Sequence, residues 1–147
     1  MKKSEAAQGN MAAGRMNCAQ SVLTAFCEEY GLNPALARRL ALGFGGGMGR
    51  TGRTCGAVTG AYLVLGLRNE LTAQNGPQIK EKVYALVRDF DQRFCAINKS
   101  TVCQELLGCD LYTPEGAAYA KEKSLFTTRC PKFVSDAVEI LEQMKEK

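Results

Sequence analysis

Apolar positions recur at helical intervals along most of the chain. Val22, Leu23, Phe26 and Tyr30 share one face of a segment that Asn17 is placed to cap. Ile79, Val83, Leu86, Val87, Phe90 and Phe94 keep the same spacing, and so do Val134, Ala137, Val138, Leu141 and Met144. Pro34 and Pro131 stand where helices begin, Gly31 and Gly108 where they stop. No segment alternates as a strand does. The pattern predicts helices over 4–14, 17–30, 34–43, 55–69, 77–95, 101–107, 114–124 and 131–145. Short connections between them imply an all-α fold, a compact single-domain multi-helix bundle. The 147 residues carry no internal repeat and no low-complexity linker, so residues 1–147 read as one helical domain. A chain of this size buries roughly 70% of its unfolded surface and needs no disulfide staples.

One stretch breaks the pattern. Seven glycines fall between Gly43 and Gly56, in Gly-Phe-Gly-Gly-Gly-Met-Gly-Arg-Thr-Gly-Arg-Thr-Cys-Gly. Gly47, Gly49 and Gly52 match the dinucleotide-binding G-x-G-x-x-G spacing. Gly47 to Thr54 nearly matches a P-loop, with Arg53 in place of the lysine. Both motifs require a preceding strand, and Ala35–Leu42 reads as helix, so neither has its context. A Gly-rich loop that lets two helices pack closely is the simpler reading. Such a loop also brings backbone N–H groups close to an anion.

Charge and hydropathy narrow the function. The net charge is +4, and the basic residues are dispersed, with no run longer than a pair such as Arg38-Arg39. Nucleic acid is not an expected partner, because a basic stripe is missing. The longest apolar stretch, Ala57–Leu67, is about half of the ~20 residues a membrane span needs. The first residues, Met1-Lys2-Lys3-Ser4-Glu5, lead into no apolar run of the secretory kind. A cytoplasmic location with reduced thiols is the expectation.

Cysteine and histidine change the picture most. The chain has seven cysteines and no histidine. That excludes His-based triads and His-ligated zinc or haem. A metal site must use thiolates, carboxylates or backbone groups. No C-x-x-C occurs, so spacing points to no thioredoxin or zinc-ribbon motif. Position is more telling. Cys18 follows Asn17, Cys55 follows Thr54, Cys103 follows Ser100 and Thr101, and Cys130 precedes Pro131. All four read as helix N-termini, where unpaired N–H groups and the helix dipole favour a thiolate. That effect, about 0.3–2 kcal/mol, lowers a thiol pKa by a few tenths to about 1.5 units. Cys27, Cys95 and Cys109 read instead as small buried hydrophobes.

Asn17-Cys18-Ala19-Gln20-Ser21-Val22, the glycine stretch and Cys55-Gly56-Ala57-Val58-Thr59-Gly60-Ala61 resemble the C_GCAxxG_C_C family. Cys103 with Glu105-Leu106-Leu107-Gly108, and then Cys130, resemble its two remaining cysteines. The resemblance runs from about Asn17 to Leu141 and implies a redox-active, cysteine-rich domain. The family is similar to the iron–sulfur domain of split-Soret cytochromes. That likeness implies a [2Fe–2S]-type cluster on Cys18, Cys55, Cys103 and Cys130. The haem part does not carry over, because C-x-x-C-H is missing. In this reading the backbone of Gly45–Gly56, with Gly46, Gly47 and Gly56, tunes the cluster by N–H···S contacts. Arg50 and Arg53 are candidate neighbouring cations. A redox partner protein, not identified by sequence, is implied, and a homodimer is left open. Three rivals stand beside it. They are a metal-free thiol–disulfide protein with a lowered pKa at Cys55, a structural Cys₄ zinc domain, and a helical interaction module whose cysteines are core.

Overall fold

The computed structural model describes residues 1–145. The order is α1 (Lys3–Ala12), α2 (Cys18–Phe26), α3 (Pro34–Ala41), the single turn α4 (Gly45–Met48), α5 (Gly56–Leu67), α6 (Gly76–Asn98), α7 (Cys103–Leu107), α8 (Pro114–Glu122), α9 (Leu125–Thr128) and α10 (Cys130–Gln143). The fold is all-α. Its one extended pairing among the described residues is an isolated antiparallel bridge between Thr54 and Val102. No helix among those residues is long and apolar enough to cross a membrane.

α5 is apolar around most of its circumference and lies at the centre, with Ala57, Val58, Ala61, Val64 and Leu65 buried. α2 packs along it, and α10 packs on α1, α2, α5 and α6. The aromatic layer closes the core. Phe90 stacks on Phe94 at 5.9 Å between ring centres, and Phe94 meets Phe133 at 6.4 Å. α1 presents Ser4, Ala7 and Met11 inward, small enough at its start to lie against α10. Arg68, just past α5, locks the far end. Its guanidinium lies 5.0 Å from the Phe26 ring centre and donates to the Tyr30 hydroxyl at 2.9 Å and the Leu141 carbonyl at 2.7 Å.

Differences from the sequence pattern are local. The 17–30 helix tightens into a 3₁₀ turn at Cys27–Tyr30 and stops at Gly31, whose φ is 79°. α6 runs on to Asn98 and ends on Lys99 at φ 75°, three residues beyond the expected end. Of its apolar stripe only Phe90 and Phe94 are fully covered, because α6 meets the bundle through α5 and α10 near its C-terminal half. α9 was not legible, since its four residues are too few to show a period. The expected end at 145 also moves in, to Gln143.

Candidate functional site

The four helix-start cysteines come together around one cleft of about 640 Å³. Cys18 is the first residue of α2, Cys103 of α7 and Cys130 of α10, while Cys55 caps α5. They are 7, 7, 8 and 5% exposed, respectively. Each helix start is fixed locally. Asn17 accepts from the Gln20 amide at 2.9 Å, and Gln20 reaches back to accept from the Asn17 amide at 3.0 Å. The Asn17 side-chain amide also donates to the Leu42 carbonyl at 2.9 Å, tying α2 to the glycine segment. Cys55 and Cys103 are joined through the Thr54–Val102 bridge. The Cys55 amide donates to Thr101 at 2.8 Å and the Cys103 amide to Arg53 at 2.6 Å.

The glycine segment is not a loose turn. Gly46, Gly47, Met48, Gly49 and Arg50 have φ of 68, 69, 68, 69 and 63°. Five successive residues thus trace a left-handed turn, pinned by the Thr51 hydroxyl on the carbonyls of Gly47 and Met48 at 2.8 Å each. Gly47 is obligatory on two counts. Its φ is positive, and a Cβ there would lie 2.6 Å from Cys103 Cβ and 2.7 Å from the Arg53 amide. Met48 and Arg50 hold this backbone at a cost of roughly 1–2 kcal/mol each. Met48→Gly is therefore expected to stabilise the fold by about 0.5–1 kcal/mol, read as a higher midpoint in urea. An unchanged or lower midpoint would show that the Met48 side chain offsets the strain.

Electrostatics overturn one expectation. Helix starts were expected to lower the thiol pKa values, and the metal-free thiol–disulfide rival required a lowered value at Cys55. Burial raises all four instead. Desolvation lifts Cys18 against the amides of Gly46, Ala19, Cys18 itself and Gly56, which point at its sulfur and pull the other way. Cys55 is raised well above its ordinary value by burial first and by the charge of Cys18 next. Burial, with Cys18 and Cys109 nearby, pushes Cys103 up to about 12. Cys130 is raised by burial, then by Cys18 and Cys103, with Arg129 opposing. Desolvation is worth up to about 3–5 units, against about 1.5 for a helix end, so burial wins. Cys18 is the neighbour that the other three share.

The remaining cysteines divide. Cys27 is fully buried in the core, as expected. Cys95 and Cys109 are only half-buried, because they sit at the edge of α6 and past the Gly108 stop. Cys109 borders the site, since its charge acts on both Cys103 and Cys130. Of the neighbours expected from sequence, Gly46, Gly56 and Arg50 line the cleft, Gly47 supports Cys103 from behind, and Arg53 does not reach the cleft. Arg15, Met16 and Phe126 line it without having been expected, because no periodicity links the α1–α2 turn or α9 to the cysteines. Among the described residues, no three His, Cys, Asp or Glu side chains stand in the arrangement that grips a single metal ion.

No curated protein and no solved structure matches the chain. Residues 16–144 match the family described as "Putative redox-active protein (C_GCAxxG_C_C)". That span holds all four cysteines of the cleft and the whole glycine turn, and the chain belongs to the C_GCAxxG_C_C family.

Proposed function

We propose that the chain is an electron-transfer protein that holds an iron–sulfur cluster of the [2Fe–2S] class on Cys18, Cys55, Cys103 and Cys130. The observation that carries this reading is the meeting of four thiols from four separate helices at one cleft, with Cys18 acting on the other three. Four thiolates are the standard donor set of such a cluster. A binuclear cluster asks for two pairs of thiolates, not three donors around one point. The bound group would supply one-electron chemistry. The chain's own residues would set its conditions. The amides of Gly46, Ala19 and Gly56 aim positive ends at the Cys18 sulfur, and the burial of all four thiols limits water. Loading must expel the thiol protons, so affinity falls as pH falls. The partner would be a redox protein.

Anaerobically purified protein is expected to be brown, with iron and sulfide near stoichiometric. Cys18→Ser is expected to lose both, whereas Cys95→Ser, at the edge of α6, keeps them. Colourless protein after anaerobic reconstitution overturns the proposal, and zinc in that protein would favour a structural Cys₄ site. A metal-free dithiol enzyme is less favoured, because its reactive thiol would need a lowered pKa where burial raises every one of the four.

A further inference from the structure

The cleft reaches well beyond the thiols. It extends from Gly14 in the α1–α2 turn to Phe126 in α9, and its volume of about 640 Å³ falls in the range of small-molecule sites, about 300–1,000 Å³. Met16, Leu42, Phe126 and Phe133 give it apolar walls. Its charged lining is all of one sign. Arg15 and Arg50 line it, and no carboxylate among the described residues does. The Arg50 guanidinium has no hydrogen bond or ion pair among those residues, and its stem folds over Gly46. Among the described residues Arg15 has a single long contact, 3.4 Å to Asn10 Oδ1. Arg50 also keeps a left-handed backbone, φ 63°, that glycine would adopt without strain.

We infer that the cleft binds a small amphipathic organic anion beside the thiols, its charged group between Arg15 and Arg50 and its apolar body against the Met, Leu and Phe walls. Two guanidiniums without carboxylate partners among the described residues suit a sulfonate, carboxylate or phosphate, and the apolar walls suit an aromatic or aliphatic body. The inference rests on reading this cleft as the functional site, but it does not require a cluster.

The test uses the reduced, metal-free full chain and two fluorescent probes with the same aromatic body. These are 8-anilinonaphthalene-1-sulfonate and its uncharged counterpart N-phenyl-1-naphthylamine. The sulfonate is expected to bind at one site. Arg15→Gln/Arg50→Gln should weaken it by about tenfold and the neutral probe by less than about twofold. Arg50→Gly separates binding from folding, because it should raise Tm while weakening the sulfonate. No sulfonate binding to the natural sequence, no weakening in the variants, or equal weakening of both probes would each overturn the inference. If iron and sulfide prove absent while the charge-selective binding holds, the cluster proposal fails and this one stands.

Discussion

Metal-free protein taken from about pH 8 to about pH 11 under reductant is expected to lose stability steeply. The sign follows from burial. An unfolded cysteine ionises near its ordinary value of 9, whereas Cys103 in the fold is held as a thiol up to about 12. Its contribution is complete below the unfolded pKa and is lost as pH rises toward the folded one. Between those values each such thiol withdraws about 1.4 kcal/mol per pH unit. Cys55 and Cys130 are shifted in the same direction, again by burial first, and act with the same sign. Together they withdraw up to about 4 kcal/mol per unit, against a domain stability of about 5–15 kcal/mol. Urea unfolding followed by far-ultraviolet circular dichroism at each pH measures this. Protein with a thiolate-ligating group bound should resist, because its sulfurs are already deprotonated. A urea midpoint that stays unchanged from about pH 8 to about pH 11 in the metal-free protein would contradict the burial of the thiols.

Gly56→Ala is expected to cost about 2–3 kcal/mol and, if the proposed cluster is held here, to abolish its loading, although only one methyl group is added. That methyl would fall within the van der Waals envelope of the Cys18 sulfur, with the Phe44 carbonyl at 3.1 Å and the Ala19 amide at 3.2 Å on its other sides. The sulfur is the one the other three thiols share, so moving it disturbs the whole set. Gly66→Ala on the same helix is the control. A Cβ there meets nothing within 4 Å, so stability should rise by up to about 1 kcal/mol through better helix propensity. Urea unfolding with iron analysis reads both variants. Unchanged stability of Gly56→Ala would mean that α2 and α5 start farther apart than described.

The helices were legible because long amphipathic segments repeat their period. The α10 stripe from Val134 to Leu141 is buried as its spacing implies. The placement of four cysteines at helix starts was also legible, from Asn17, Thr54, Ser100 and Pro131 beside them. Their convergence was implied only by the family resemblance, because no local pattern encodes which helix ends meet. The sign of the pKa shifts was not legible. A helix N-terminus is a local feature read from sequence, whereas desolvation is set by distant parts of the chain. The α10 start and Phe133 reach the cleft from far along the chain. The glycine stretch announced an unusual backbone but not its hand. Met48 and Arg50 do not declare positive φ, since they are not residues that favour it.

The pairing of Thr54 with Val102 joins only two of the four thiols. The first sulfur enters with α2 and the last with α10, near opposite ends of the chain. During synthesis, the cleft therefore has no fourth wall until α10 has emerged and folded back onto α1, α2 and α5. Closing it demands contacts of high sequence separation, which form slowly and late. Insertion of any group shared by all four sulfurs thus waits for α10 to dock, and a chain ended before α10 would offer three of those thiols at most.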